Sequence, residues 1–208
     1  MDLEQTLPVV VIVGRPNVGK STLFNAIIRD RRSIVGDEPG ITRDRIRGKA
    51  QHGGKKFEII DTGGIIPNEE DLIPSEIFKQ ARVAFEEAAH IVFVIDGRTE
   101  ITGTDRELAV LLRRLGKPLT LAVNKIDVPS KESLSHEFYE LGIGDVMPVS
   151  AEHRLGVEQL LDHVTESFPT PEEAEKQEGS PRIKVAIIGR PNVGKSTLLN
   201  ALVGAERA

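Results

Sequence analysis

The sequence contains no cysteine at all. That excludes disulfide staples, thiolate catalysis and cysteine-ligated metal centres together, and it suits a reducing compartment. No apolar stretch is long enough to cross a membrane. The first residues, Met1 to Leu7, are polar and acidic and lack the basic start and apolar run of a secretory leader. The expected location is therefore the cytoplasm, with no membrane partner. Positive charge is also in deficit, because 27 Lys and Arg against 32 Asp and Glu leave a net charge of −5. This argues against a generalised nucleic-acid or lipid-binding surface, while a local basic patch stays compatible with it. The five histidines, His52, His90, His136, His153 and His163, are scattered without metal-ligand spacing and read as surface or internally satisfied residues.

Within the 208 residues, 39% are hydrophobic and concentrated in short runs, which is enough for one sizeable core of ordinary globular character. One segment occurs twice. The stretch from Val10 through Gly-Arg-Pro-Asn-Val-Gly-Lys-Ser-Thr to Ala26 returns almost unchanged between Val185 and Ala201. The separation is the size of a domain and far too long for a solenoid repeat. The expected organisation is one complete domain over 1–168, a Pro- and Glu-rich solvated linker over 169–181, and the start of a second copy over 182–208. That last piece offers only a strand, a loop and a helix, too little apolar surface to fold by itself, so disorder is expected there. The repeat also leaves open an exchange with the matching strand and helix of another molecule. A monomer is the expected state.

Inside the first copy, β-branched runs alternate with helical patterns, the signature of βαβ units. The pattern predicts an α/β fold: a mostly parallel six-stranded sheet with helices on both faces. The predicted strands are Val9–Val13, Ile46–Gln51, Phe57–Ile60, Ile91–Ile95, Leu119–Val123 and Val146–Val149. The predicted helices are Lys20–Ile28, Pro74–Ala88, Thr104–Leu115, Ser130–Leu141 and Val157–Phe168. In such a sheet the working loops lie at the carboxyl ends of the strands.

The loop Gly14-Arg-Pro-Asn-Val-Gly-Lys-Ser21 follows an apolar strand and opens a helix, which is the setting in which this Walker spacing cradles phosphates. Backbone amides of Asn17, Val18, Gly19, Lys20, Ser21 and Thr22 are expected to converge on phosphate oxygens. Lys20 is expected to reach the β- and γ-phosphates and Ser21 to ligate Mg²⁺. The metal also needs a carboxylate at the end of a neighbouring strand, and Asp61 closes the third strand. After it, Gly63 and Gly64 can bring backbone against the γ-phosphate. Asn124-Lys-Ile-Asp127 follows the fifth strand and favours guanine over adenine. A carboxylate at Asp127 accepts both the N1–H and the N2 amino group of guanine, whereas the N1 acceptor of adenine repels it. Asn124 can contact the O6/N7 edge or tie neighbouring loops together, and the Lys125 stem can cover the ring. Ser150 and Ala151, at the end of the last strand, place a backbone N–H where it can bind O6. An ATP-dependent enzyme remains the reading if the Asn124–Asp127 spacing is accidental.

These motifs in this order resemble the Era-like branch of the translation-factor-related P-loop GTPases, whose domain is of the Ras-like type. The tandem copy narrows the likeness to the double-Era (EngA/Der) family, in which two GTPase domains precede a KH-like domain. The resemblance covers Pro8–Phe168 and restarts at Arg182. It implies GTP hydrolysis, GTP/GDP and Mg²⁺ as ligands, and a role with ribosomal RNA in assembling the large ribosomal subunit. It also implies that Thr42 closes over Mg²⁺ in the GTP state, and that Asn17 helps hold a potassium ion in the place of an arginine finger. The catalytic set would then be Lys20, Thr42, Gly64 and Asn17, with Ser21, Thr42 and Asp61 on the metal. One departure from the Ras-like pattern bears on catalysis: Ile65 stands where a glutamine would orient the attacking water. A non-catalytic GTP-binding module therefore stays open beside the enzyme. Arg43, Arg45 and Arg47 alternate along one strand face, read either as a solvated edge or as a contact for RNA or another domain; Glu69 to Asp71 reads as a solvated loop.

Overall fold

Five successive apolar residues build the first strand, β1 (Val9–Val13), and all five are buried. Branching at Cβ stiffens four valines and an isoleucine into the extended conformation. A strand apolar on both faces is stable only with a layer on each side. The computed structural model, which describes residues 7–28, 47–64, 74–126, 136–170, 172–173 and 197, places β1 in that position. Around it lie β2 (Arg47–His52), β3 (Lys55–Asp61), β4 (Ala88–Asp96), β5 (Leu119–Asn124) and β6 (Asp145–Pro148), in the sheet order β2-β3-β1-β4-β5-β6. All neighbours run parallel except β2 and β3. Those two are joined through Gly53 and Gly54, with φ of 55° and 83°. A two-residue connection with both residues left-handed matches the twist of a hairpin, and glycine adopts it without steric penalty.

Alternate residues of β1 feed two separate cores. Val9, Val11 and Val13 join Phe85, Leu108 and Leu112, beneath α2 (Pro74–Glu87) and α3 (Gly103–Arg114). Val10 and Ile12 join Leu23, Ile27, Leu160 and Leu161, beneath α1 (Lys20–Ile28) and α4 (Val157–Val164). The period-two alternation of one central strand thus sorts the helices to opposite faces, the expected α/β architecture.

Several boundaries differ from the sequence pattern, each for a local reason. The last helix stops at Val164 rather than Phe168. Beyond it the amides of Glu166 and Phe168 reach back only three residues, in tighter turns, while Lys55 Nζ donates to the carbonyls of Thr165 and Glu166 at 2.7 and 2.8 Å. A cation from β3 thereby satisfies carbonyls that a longer helix would have bonded internally. Strand β4 begins at Ala88, not Ile91, because α2 ends at Glu87 and Lys117 Nζ takes the carbonyls of Glu86 and Ala88 at 2.7 and 2.8 Å. Of the helix expected over 130–141, the described part, His136–Leu141, is a 3₁₀ helix. Helix α3 starts at Gly103 behind a reciprocal cap in which Thr102 and Asp105 each bond the other's backbone.

The chain divides into two units, Met1–Pro171 and Glu172–Ala208. The fold above belongs to the first. Of the second, the described residues are 172–173 and 197, so the expected linker and second phosphate loop lie largely outside the described residues. Among the described residues no helix is long and apolar enough to cross a membrane.

Candidate functional site

At the carboxyl end of β1 stands Gly14, so close to β4 that a Cβ there would collide with the carbonyl oxygen of Val94. The loop then passes through two left-handed residues, Asn17 (φ 64°) and Gly19 (φ 95°). Asparagine tolerates that region better than most side chains. Val18 is fully buried between them and anchors the loop, leaving Asn17 exposed. Helix α1 opens at Lys20, and a bond from Leu23 N–H to Gly19 O at 2.9 Å spans its first turn. The amides of Lys20, Ser21 and Thr22 precede that bond and make the helix start a locus for anions.

Lys20 is 7% exposed, and its Nζ donates to Arg15 O at 2.8 Å. Burial pushes its pKa below the ordinary lysine value; the Asp61 carboxylate opposes that shift, and the Arg15 charge adds to it. Asp61 ends β3 and is itself nearly buried. Ser21 Oγ donates to its Oδ2 at 2.6 Å, and Gly63 N–H to its Oδ1 at 2.8 Å. Thr62 Oγ1 bonds the carbonyl of Ile12 at 2.9 Å, fixing the turn Thr62–Gly64 to the central strand. The residues expected at the phosphates and metal, from Asn17 to Thr22 with Asp61 and Gly64, thus fall at the ends of the adjacent strands β1 and β3. The oxygen donors gathered here, a hydroxyl and a carboxylate, are of the hard type that suits Mg²⁺.

A second cluster forms where β5 ends. Asn124 is 2% exposed; its Nδ2 donates to Val18 O at 2.9 Å and its Oδ1 accepts the Ala151 N–H at 3.0 Å. Of the two roles open to Asn124, the tie between loops is the one these bonds perform, and the Ala151 N–H is the group it takes up. Ser150 is buried and pairs in both directions with the backbone of Leu155. Lys125 adopts a left-handed φ of 67°, and its Nζ reaches both Asn17 O at 2.9 Å and Asp96 Oδ2 at 2.7 Å. Burial pushes the pKa of Asp96 up, but hydrogen bonds from Lys125 and the Arg98 amide, together with the Lys125 and Arg15 charges, hold it below the ordinary carboxylate value. Thr42, Ile65 and Asp127 lie outside the described residues, as do Arg43, Arg45 and Glu69 to Asp71. Arg47 pairs with Glu87 and Glu58 on an exposed edge, which matches the plainer of its two readings.

Two participants went unnoticed in the sequence. Asp96 closes β4 as Asp61 closes β3, and a carboxylate at a strand's carboxyl end was the available signal. The pairing of Arg15 with Asp105 at 3.2 Å joins residues 90 positions apart and left no sequence signal. Among the described residues no three His, Cys, Asp or Glu side chains gather as a metal cluster, and the oxygen donors they bring together here are one carboxylate and one hydroxyl.

Comparison with known proteins gives a consistent result. The family described as 50S ribosome-binding GTPase matches residues 9–125 and again 184–208. A protein named GTPase Der from Caldicellulosiruptor saccharolyticus is 53% identical over 200 residues, covering 96% of this chain. The chain spans 45% of that relative's length, as it does for the other curated relatives compared. Among solved structures, Era from Aquifex aeolicus bound to GDP and aluminium fluoride superposes with a TM-score of 0.60 at 30% identity, covering 77% of this chain and 56% of that one. Era in complex with MgGDPNP and a segment of 16S ribosomal RNA gives a TM-score of 0.60 at 27% identity, covering 87% and 60%.

Proposed function

Because the chain belongs to the family of 50S ribosome-binding GTPases, we propose that it binds guanine nucleotide and hydrolyses GTP to GDP and phosphate. The observation that carries this reading is the joint placement of Lys20, of Ser21 against Asp61, and of Asn124 bridging Val18 to Ala151. The phosphate and base segments are thereby held to each other by one buried side chain.

Water attacks the γ-phosphorus, the bond to the β–γ bridging oxygen breaks, and charge builds on the phosphoryl oxygens. The Lys20 ammonium and the amides at the start of α1 oppose that charge from positions already set. Ser21, Asp61 and Thr42 would hold Mg²⁺, which neutralises the β- and γ-phosphate oxygens. Gly64 offers an N–H to the γ-phosphate, Asp127 reads the N1–H and N2 amino group of guanine, and Lys125 covers the ring. The aliphatic side chain of Ile65 can neither orient the water nor offset charge, so hydrolysis draws on help from elsewhere; a potassium ion held in part by Asn17, which is exposed, is the source we propose. The same Ile65 favours a second reading, a GTP-binding module that presents an interaction surface and awaits a partner for catalysis. The family description, 50S ribosome-binding GTPase, supports a partner in the large ribosomal subunit, and a cytoplasmic role in assembling that subunit is the one proposed here. The chain spans 45% of the length of the Caldicellulosiruptor saccharolyticus relative.

Phosphate release from GTP and ATP, measured in potassium and in sodium, tests the proposal, beside Asp127→Asn offered GTP and xanthosine triphosphate. GTP-only turnover that rises in potassium, with the variant now favouring xanthosine triphosphate, is expected. Turnover of both GTP and ATP would remove the base contact. Equal rates in the two salts would remove the potassium ion.

A further inference from the structure

Arg15 is the second residue of the phosphate loop, and its backbone and side chain face different partners. Its carbonyl accepts the Lys20 ammonium at 2.8 Å. Its guanidinium reaches the segment between β4 and α3, with Nη2 donating to Thr99 Oγ1 at 2.8 Å and Nε to Asp105 Oδ2 at 3.2 Å. Asp105 is 1% exposed, and the same Oδ2 also accepts Thr102 N–H at 3.0 Å and Thr102 Oγ1 at 2.7 Å. Its Oδ1 is buried without a partner among the described residues. A buried carboxylate with one oxygen unsatisfied depends heavily on its charged partner. Among the described ion pairs that partner is Arg15 alone.

We propose that Arg15 is a positioning residue: anchored by Asp105 and Thr99, it fixes the carbonyl that orients Lys20, and so sets how tightly the loop grips the β-phosphate. The inference rests on the guanine-nucleotide reading above. Its reasoning is geometric. Side chain and carbonyl of one residue are linked through a single Cα, and the neighbouring Gly14 packs so close to β4 that a Cβ there would collide with Val94 O. Freeing the guanidinium therefore lets the carbonyl turn, and the ammonium with it. The other end of the loop is held independently, through Asn17 O and Lys125. The consequence falls on phosphate binding and leaves base binding intact.

The test compares the chain with Arg15→Gln, Arg15→Lys and Asp105→Asn. Competition of GDP and of GMP against a fluorescent GDP is measured, together with the thermal midpoint without nucleotide. Charge-assisted hydrogen bonds are the stronger class, so Arg15→Gln and Asp105→Asn are each expected to weaken GDP roughly tenfold. GMP, which lacks a β-phosphate, should change less than about twofold, the double variant should be no worse than the poorer single, and lysine should recover part of the loss. Equal loss of GDP and GMP, or a lowered midpoint with GDP affinity unchanged, would overturn the positioning role and leave the Proposed function intact. If Arg15→Gln does not fold, Arg15→Lys and Asp105→Asn decide by the same ratio. Failure of the unaltered chain to bind GDP at all would remove the nucleotide reading and this inference with it.

Discussion

His90 shows how a single buried residue ties stability to pH at a place remote from the loops. It sits near the start of β4, with its Nε2 2.8 Å from Thr120 Oγ1 and its ring edge-on to His163. Burial first, and then the neighbouring His163 charge, push its pKa down from 6.5 to about 4, against a smaller upward pull from Asp145. The folded chain thus refuses a proton that the unfolded chain accepts. Stability from this group is complete above pH 6.5 and is lost as the pH falls towards 4. Thermal midpoints measured across that range should fall for the natural chain and fall less for His90→Gln; parallel curves would show that His90 is not the group responsible. The histidine's satisfied state was legible as the ordinary alternative to a metal ligand, but its partner on β5 was not, because cross-strand neighbours are set by register. Asp61 was more legible, since the end of an apolar run followed by Thr-Gly-Gly marks a strand terminus on its own.

At the scale of elements, the phosphate loop and the end of β5 constrain each other. A Cβ on Gly19 would run into Asn124 Nδ2, and the backbone there has φ of 95°. Gly19→Ala therefore meets a steric and a conformational penalty together, the latter on the order of 1–2 kcal/mol. The expected outcome is loss of detectable GDP binding with the fold retained, read by equilibrium titration and circular dichroism; undiminished GDP affinity would show that the loop can relax without disturbing Asn124. The Walker spacing announces this loop in the sequence because its glycines and lysine lie within eight positions. Helix and strand limits were less legible. The end of α4 depends on Lys55 from a distant strand, and the early start of β4 depends on Lys117. Periodicity along one segment carries no information about a cation arriving from another.

Across the whole molecule, two cores on opposite faces of one sheet separate stability from chemistry. Leu112 is fully buried on α3 in the core below α2, on the side of the sheet away from α1. Leu112→Ala should lower unfolding free energy by about 2–5 kcal/mol through lost burial and a residual cavity. Denaturant midpoints should show this, while GDP affinity in buffer stays close to that of the natural chain; a large drop in affinity would mean that α3 transmits its packing to the loop through Asp105. The α/β class was legible because β-branched runs recur between amphipathic stretches. The sheet order, and the single antiparallel pair at its edge, were not, since they depend on which strands meet in space. The hairpin did leave a trace in Gly53-Gly54, a local turn signal whose φ values the structure supplies.

The sheet order also sets a timetable for the chain as it is synthesised. Strand β1 is made first, yet its two neighbours, β3 and β4, come later, and Asn124 must still wait for the Ala151 amide. At typical elongation rates of 5–20 residues per second, roughly 140 further residues take on the order of 7–30 seconds. The first strand, apolar on both faces, waits for a shorter part of that interval, until β3 and then β4 have been made at residues 61 and 96. Within this unit the strand that is apolar on both faces is made before its sheet neighbours, and the tie between Asn124 and Ala151 closes later still, so chaperone demand precedes any capacity for a ligand to stabilise the fold.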